Sequence, residues 1–267
     1  MLAAEFKIEK KRIARSFSQA AASYDAYAFL QRKVADTLLA NLEKDTNVRR
    51  VMDLGSGTGY CTKELHRLYP NAEIINLDIA EAMLEFASKR HKDCGFNEKS
   101  ICADAEALPF IADTFDIVIS SLSIQWCQNY AFLFSELKRV LKAQGKLHIS
   151  TFGPETLQEV TQAWQKVDSY VHVNRFNTDQ FLLNEIKKNE FSKVKIDISP
   201  MLVYYQSFEG LARELKSIGA GNMNAGRAHG LNGRRKLLKL KQAFELNSDK
   251  KLGIPVSYQV YYLRAQA

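Results

Sequence analysis

Cysteine is scarce in this chain, and long apolar runs are missing. The 267 residues include four cysteines, at positions 61, 94, 102 and 127, without the C-x-x-C spacing of zinc sites. No apolar run approaches the roughly 20 residues that a membrane-spanning helix needs. The first residues also lack the long apolar stretch of a secretory leader. We therefore expect no metal site, no membrane segment and a reducing, cytoplasmic location.

The most informative stretch runs from Val51 to Gly59, where an apolar segment ends in a glycine-rich turn and a helix-like segment follows. Alternate glycines allow backbone conformations closed to other residues and let a ligand approach without a Cβ in the way. Turns that hold a diphosphate usually have the spacing G-x-G-x-x-G, whereas this turn is G-x-G-x-G with Asp53 two residues ahead of it. A carboxylate there would repel a diphosphate but suits a ligand with an amino group. The turn therefore points to S-adenosylmethionine rather than NAD.

Two further apolar runs also end in acids: the run 73–78 ends in Asp78, and the run 99–104 ends in Asp104. A carboxylate at the tip of a second strand can accept hydrogen bonds from both ribose hydroxyls. One at the tip of a third strand is placed to accept from an adenine amino group. Either acid alone could instead cap a helix. Together with the glycine turn, the three acids favour the cofactor interpretation.

Apolar runs and helical segments alternate from residue 51 to residue 152. Strands separated by helical stretches of about 10–15 residues predict βαβ units and a parallel sheet. Ligands of such sheets bind at the carboxyl ends of the strands. Further strands at 193–205 and 256–264 follow. We predict an α/β, Rossmann-like fold, with a seven-stranded, mostly parallel sheet, an N-terminal helical lid, and a helical insertion between the last two strands.

The glycine-rich turn and the acids that end the apolar runs resemble the pattern of the class I S-adenosylmethionine-dependent methyltransferases, and the resemblance covers Val51 to Phe152. It implies that Met83 and the pair Asp104 and Ala105 flank the adenine. The cofactor-binding residues expected on this basis are Asp53, Gly55, Ser56, Gly57, Asp78, Ile79, Met83, Asp104, Ala105 and Ser121.

The length of the chain favours one methyltransferase domain over two. Its expected parts are an N-terminal helical lid (1–50), a cofactor-binding core (51–205), a basic helical insertion (206–251) and the last strand (252–267). An amphipathic stripe in the lid should pack on the core: Leu30, Val34, Leu38 and Leu42. Tyr24 lies ahead of this stripe among small residues. It is either a lid residue with its hydroxyl at the site or an ordinary half-buried aromatic.

The net charge of +7 is unevenly distributed. Residues 1–50 carry 10 basic and 6 acidic side chains, residues 51–205 carry 16 and 20, and residues 206–251 carry 10 and 4. The presumed catalytic core is therefore acidic, and the positive charge lies outside it. This distribution suggests an acidic partner, either nucleic acid or an acidic protein. The alternative is a basic face that is merely solvated.

Some methyl acceptors can be argued against from missing motifs. The chain has no Asn-Pro-Pro-Tyr or Asp-Pro-Pro-Tyr run of the amide and exocyclic-amine methylators, and no Pro-Cys pair for pyrimidine carbon-5 methylation. An amine or hydroxyl acceptor wants a general base, for which His172 and His229 are candidates, whereas a carboxylate acceptor is already ionised at neutral pH. His148 lies in a buried-strand pattern and is expected to be a core residue rather than a base.

Four stretches together resemble the malonyl-acyl carrier protein O-methyltransferases of biotin synthesis. They are Arg15-Ser16-Phe17 with 20–24, Ser121–Cys127, His172–Phe176 and Gly230–Arg235. All but the second lie outside the generic cofactor core. The resemblance implies methylation of the free carboxylate of a malonyl thioester, carried by acyl carrier protein or coenzyme A.

The resemblance also assigns roles on the acceptor side. Arg175 is an isolated arginine whose planar guanidinium could hold the carboxylate bidentately, although a surface salt bridge is the alternative. Gln125 and Tyr24 join it as expected catalytic residues. Gln125 and Trp126 are expected to line the acceptor pocket, although Trp126 could equally be a core anchor. The residues expected to contact the substrate or an acidic acyl carrier protein are Trp126, Arg213, Lys216, Arg227, Arg234 and Arg235.

Two other functions remain open at this point. A tRNA or rRNA methyltransferase would use the same core and bind phosphates with the basic flank, and its binding would weaken strongly with salt. No basic groove rich in aromatic residues supports nucleic acid, which makes it the weaker candidate. A non-catalytic partner subunit would bind S-adenosylmethionine and never turn it over.

Overall fold

The structure is a computed structural model that describes residues 9–92, 94–221, 233–246, 248–249 and 251–267, with the backbone alone at 233 and 234. The strands of this part of the chain are β1 (Arg50–Leu54), β2 (Glu73–Asp78), β3 (Glu98–Cys102), β4 (Phe115–Ser121), β5 (Leu141–Phe152), β6 (Ser192–Tyr205) and β7 (Ile254–Gln266). Its α-helices are α1 (Lys10–Ala20), α2 (Tyr24–Tyr27), α3 (Phe29–Ala40), α4 (Thr62–Leu68), α5 (Glu81–His91), α6 (Tyr130–Val140), α7 (Gln158–Gln165), α8 (Asp179–Lys188), α9 (Phe208–Ser217) and α10 (Gly233–Glu245).

The strands form one sheet in the order β3-β2-β1-β4-β5-β7-β6. The first five strands pair in parallel, and β7 runs antiparallel to both β5 and β6. The predicted seven-stranded, mostly parallel sheet is therefore confirmed. The strand order reverses between β1 and β4, and ligands of open α/β sheets bind at such a reversal. The glycine-rich turn leaves β1 at this point.

Helices cover both faces of the sheet, which explains why the central strands are almost continuously apolar. On one face, Leu38 of α3, Leu65 of α4 and Phe244 of α10 belong to a buried cluster with Val51 of β1. On the other face, Phe134 of α6 packs in a second cluster of buried side chains. This core fixes the carboxyl ends of β1, β2 and β4 relative to one another, and so positions the site.

The N-terminal segment is helical as predicted, but it is divided into α1, α2 and α3. The Ser23 hydroxyl donates to the carbonyl oxygens of Ala20 at 3.2 Å and Ser217 at 2.8 Å, and such side-chain bonds compete with helix continuation. The predicted stripe is confirmed, because its four members are all buried: Leu30, Val34, Leu38 and Leu42.

The predicted helical insertion between the last two strands is also present, as α9 and α10. The Tyr205 hydroxyl of β6 donates to Glu214 of α9 at 2.8 Å and lies 3.1 Å from the hydroxyl of Tyr258 on β7. These bonds tie α9 to the two strands that flank the insertion. No helix in the described part of the chain is long and apolar enough to cross a membrane.

Candidate active site

The glycine turn adopts the backbone conformations that its spacing predicts. Gly55 has φ of 72° and Gly57 has φ of 55°, a region that other residues rarely adopt. A Cβ at Gly55 would lie 2.2 Å from the Cβ of Ser123, whereas a Cβ at Gly57 would meet nothing within 4 Å. Gly55 is therefore required for packing. The space beside Gly57 is open to a ligand.

Asp78, the last residue of β2, is held at this turn by backbone amides. Its Oδ2 accepts from the amide of Gly57 at 2.9 Å, and its Oδ1 accepts from the amide of Ala80 at 2.8 Å. Burial raises the pKa of Asp78, while these amides act in the opposite direction. Each carboxylate oxygen has a second lone pair, so Asp78 can also accept from the hydroxyls of a ribose.

A cavity of about 100 Å³, here called the main cavity, opens in front of Asp78. It brings together most of the residues predicted to bind the cofactor: Gly55, Gly57, Asp78, Ile79, Met83, Asp104, Ala105 and Ser121. Trp126, predicted to contact the substrate, and Tyr24 also line it. The Asp104 carboxylate, predicted to accept from adenine, pairs here with Lys10 Nζ at 2.5 Å. Lys10 also lies 2.9 Å from Glu106, and no motif in the sequence marks it as a site residue.

A second space, the inner cavity, adjoins the main cavity at the glycine turn. The two cavities share four lining residues: Tyr24, Gly55, Gly57 and Ser121. The inner cavity also contains the two predicted cofactor residues that the main cavity lacks, Asp53 and Ser56. All ten predicted cofactor-binding residues therefore line one of two adjoining cavities, which is the arrangement that an elongated ligand requires.

Asp53 gives the inner cavity its chemical character. Its carboxylate is 1% exposed, and Oδ2 has no hydrogen-bond partner within the described residues. Burial and the nearby charge of Asp78 raise the pKa of Asp53 to about 7. A buried carboxylate without a partner is costly, and a bound cation would relieve that cost. The site therefore fits a ligand with an ammonium group, as the amino-acid end of S-adenosylmethionine has.

The N-terminal helices close over both cavities and act as a lid. Phe17 of α1 lines the main cavity and packs edge-on against Trp126, with ring centroids 5.4 Å apart. Asp25, next to Tyr24, accepts from the Thr58 hydroxyl at 2.7 Å and from Arg90 at 2.8 Å. These bonds fasten the lid to the glycine turn. Burial raises the pKa of Tyr24, so its phenol stays protonated at neutral pH.

Gln125 is a predicted catalytic residue whose side chain is engaged in hydrogen bonds within the protein. Its Nε2 donates to the carbonyl oxygen of Leu122 at 2.6 Å, and its Oε1 accepts from the Thr151 hydroxyl at 3.2 Å. The side chain is buried and does not line the main cavity. These bonds brace the turn after β4 against β5, and a catalytic role for Gln125 stays a prediction.

Arg175 lines a separate space, here called the aromatic cavity, of about 480 Å³. Trp164 stacks on the imidazole of His172 with ring centroids 3.5 Å apart, and His172 Nε2 lies 2.6 Å from Asp168. Asp168 also accepts from Lys236 of α10 at 2.9 Å. His172, a candidate base, is therefore engaged by a carboxylate and a ring. The aromatic cavity shares no lining residue with the main cavity, and Arg175 stays a predicted clamp.

Three of the basic residues predicted to contact an acidic partner are exposed on the insertion. Arg213 and Lys216 of α9 and Arg235 of α10 are exposed. Arg227, the side chain of Arg234 and the candidate base His229 lie outside the described residues. His148, expected to be a core residue rather than a base, is 7% exposed on β5, and burial lowers its pKa to about 4. Within the described part of the chain, no three His, Cys, Asp or Glu side chains are grouped to hold a metal ion.

Comparison with known proteins identifies the family. Residues 52–149 match the model of a methyltransferase domain. The chain is 43% identical over 96% of its length to the biotin biosynthesis bifunctional protein BioHC of Cellvibrio japonicus, and it spans 50% of that relative. It is 40% identical over 97% of its length to the malonyl-[acyl-carrier protein] O-methyltransferase of Gallionella capsiferriformans, and it spans 91% of that relative.

Solved structures agree on the fold. The YcgJ protein of Bacillus subtilis superposes with a TM-score of 0.61 at 18% identity, over 88% of this chain and 98% of that one. At this identity the likeness concerns the fold alone. The relatives with higher identity carry the assignment of family: the chain belongs to the malonyl-[acyl-carrier protein] O-methyltransferases, within the S-adenosylmethionine-dependent methyltransferases.

Proposed function

We propose that this chain transfers the methyl group of S-adenosylmethionine to the free carboxylate of a malonyl thioester, giving the methyl ester early in biotin synthesis. One observation supports this most directly. The generic methyltransferase domain matches only residues 52–149, whereas the similarity to a named malonyl-[acyl-carrier protein] O-methyltransferase extends over 97% of the chain. The similarity therefore includes the lid, the aromatic cavity and the insertion, where an acceptor would be selected.

The main and inner cavities would hold the cofactor. S-adenosylmethionine supplies an electrophilic methyl group on a sulfonium sulfur. Asp78 would accept from the ribose hydroxyls, Met83 and Ala105 would flank the adenine, and Asp53 would face the ammonium group. The lid would exclude water from the reacting atoms, and positioning in a dry site is the protein's main contribution to such a transfer.

A carboxylate acceptor agrees with the protonation state of Tyr24 in the main cavity. A carboxylate is ionised at neutral pH and needs no general base. Tyr24 lines this cavity, and because burial raises its pKa, it can donate a hydrogen bond but cannot act as a base near pH 7. In our proposal its hydroxyl donates to one acceptor oxygen and leaves the other free to attack the methyl group.

Arg175 is our candidate for binding the malonyl carboxylate before transfer. It lines the aromatic cavity with Trp164, Tyr170 and Phe176, which offer apolar walls around a cationic group. A guanidinium can pair with both oxygens of a carboxylate. Because the aromatic cavity adjoins α10 through the pair between Asp168 and Lys236, the acceptor would enter beside the insertion.

The partner that delivers the thioester is, in our proposal, an acidic acyl carrier protein that docks on α9 and α10. On α10, Leu237 is 43% exposed and Leu238 is 58% exposed, next to the exposed Arg235 and Lys239. Apolar side chains within a basic rim suit a partner helix that combines acidic and apolar residues. Lys236 is not part of this rim, because it pairs with Asp168.

Intact-mass spectrometry of the carrier protein tests the proposal. Malonyl-carrier and acetyl-carrier protein are incubated separately with the enzyme and S-adenosylmethionine. We expect the malonyl form alone to gain the mass of one methyl group in place of a proton, because the acetyl form has no free carboxylate. A gain of mass on both carriers, or on neither, would contradict the proposed acceptor.

A further inference from the structure

The inner cavity contains an unusual concentration of polar atoms without partners. Within the described residues, five buried side-chain nitrogen or oxygen atoms have no hydrogen-bond partner. Three of them line the inner cavity: Gln31 Oε1, Asp53 Oδ2 and Ser56 Oγ. Buried polar groups are normally paired, so three such atoms in one space indicate a polar ligand.

The charges around the inner cavity indicate which polar ligand group fits. Asp53 supplies a buried carboxylate, and the opposite charge comes from Arg32 of α3, which lines the same cavity. Asp25, the other acid of this lining, is already paired with Arg90 and Thr58. An α-amino acid group has one ammonium and one carboxylate, and the inner cavity offers one charged partner for each.

Arg32 keeps donor capacity for a ligand. Its Nη1 donates to the carbonyl oxygen of Asp25 at 2.5 Å, and a guanidinium has five N–H donors in all. This bond also fixes the side chain beside the lid segment that contains Tyr24. Gln31, the preceding residue, presents a buried amide oxygen, which accepts hydrogen bonds and so suits an ammonium group.

We propose that Arg32 binds the α-carboxylate of S-adenosylmethionine, and that Gln31 shares the α-ammonium group with Asp53. Neither Gln31 nor Arg32 belongs to the glycine turn or to the strand ends. The first helical turns of α3 would thus complete the cofactor site and make it specific for an intact amino-acid end. The proposal concerns the cofactor and is independent of which acceptor is methylated.

Calorimetric titration with three adenosyl ligands tests this assignment without turnover. S-adenosylhomocysteine has the full amino-acid end, S-adenosyl-3-thiopropylamine keeps the ammonium but lacks the carboxylate, and methylthioadenosine lacks both groups. We expect the unmodified chain to bind the decarboxylated ligand about 10- to 100-fold more weakly than S-adenosylhomocysteine, as loss of a charge-assisted pair implies. Equal affinity for these two ligands would overturn the proposal.

Two variants separate the two residues. Arg32→Gln should weaken the binding of S-adenosylhomocysteine about 10- to 100-fold and leave the affinities for the other two ligands unchanged. Gln31→Leu should weaken the binding of both ligands that have an ammonium group and leave the affinity for methylthioadenosine unchanged. Lys33→Gln, which removes a neighbouring exposed cation of α3, is the matched control and should change none of the three affinities.

The pattern across ligands distinguishes binding from a purely structural role. If Arg32 only braced the lid through the Asp25 carbonyl, Arg32→Gln would weaken the binding of all three ligands by the same factor, and the proposal would be wrong. Retained binding of methylthioadenosine shows that the variant is folded. Should Arg32→Gln fail to fold, equal affinity of the unmodified chain for S-adenosylhomocysteine and its decarboxylated analogue would still overturn the proposal.

Discussion

Asp53 should make the cofactor-free protein less stable at neutral pH than it would be with a neutral side chain. Its carboxylate is buried with one oxygen unpaired, and its pKa is about 7 against an ordinary value of 3.8. Between these two pH values the folded chain keeps a proton that the unfolded chain has released. The free energy of unfolding therefore falls as the pH rises through this window and stays low above it.

The size of the effect follows from the same two pKa values. Integrated over the whole window, the loss is about 4 kcal/mol, and between pH 5 and pH 8 it is about 3 kcal/mol. Asp53→Asn has nearly the same shape and no titrating proton. Relative to the parent chain, the variant should thus gain about 3 kcal/mol in free energy of unfolding when the pH is raised from 5 to 8.

Urea unfolding at several pH values measures this difference directly. Parent and variant are compared without cofactor. The test is how the difference between their free energies of unfolding changes with pH. The absolute size of that difference is not used, because a buried amide has a cost of its own. Asp113→Asn, at an exposed position, is the matched control and should track the parent. A difference between parent and Asp53→Asn that is constant from pH 5 to pH 8 would refute the reasoning.

The same variant should lose function as it gains stability. Asp53→Asn removes the charged partner of the ammonium group, so S-adenosylhomocysteine should bind about 10- to 100-fold more weakly above pH 7. In the parent, affinity should fall below pH 7, because the carboxylate must lose its proton before it pairs with the ligand. Unchanged affinity in the variant would show that Asp53 does not face the amino-acid end.

Three further substitutions test the other parts of the site. Asp78→Ala should weaken the binding free energy of S-adenosylhomocysteine by about 1–3 kcal/mol in a calorimetric titration, because charge-assisted hydrogen bonds are lost. Unchanged affinity would remove Asp78 from the cofactor site. Arg175→Ala should abolish methyl transfer while cofactor affinity stays normal, whereas retained activity would exclude the proposed clamp. Arg234→Glu with Arg235→Glu should raise KM for the carrier-protein substrate far more than for a coenzyme A thioester, and Lys63→Glu, at an exposed position of α4, is the charge control. Equal effects on both substrates would argue against docking.

Much of the fold could be predicted because its signals are local. The central parallel strands are buried on both faces and so form nearly continuous apolar runs, which the β1 and β2 segments show clearly. The turn from Gly55 to Gly59 needs backbone conformations that favour glycine, and its spacing in the sequence is therefore visible. Asp78 and Asp104 could be predicted together because carboxyl ends of neighbouring parallel strands meet at one edge of the sheet.

The rest of the site depends on contacts between distant segments. Gln31 and Arg32 lie on the helix whose apolar stripe packs on the core, and nothing in their spacing indicates that they face the glycine turn. Lys10 is 94 residues from Asp104 along the chain, so its ion pair exists only once α1 has packed against α5. The break between α1 and α2 likewise coincides with the bond between Ser23 and Ser217, a tertiary contact.

Transfer of a labelled methyl group tests the central claim most directly. Methyl-labelled S-adenosylmethionine is incubated with the enzyme and, in parallel, with malonyl-carrier protein, malonyl-coenzyme A and bulk tRNA. We expect label on a malonyl thioester, released by mild alkaline hydrolysis as a methyl ester should be, and none on tRNA. Label on tRNA, or no label on any acceptor, would keep the fold and the cofactor site but contradict the proposed reaction.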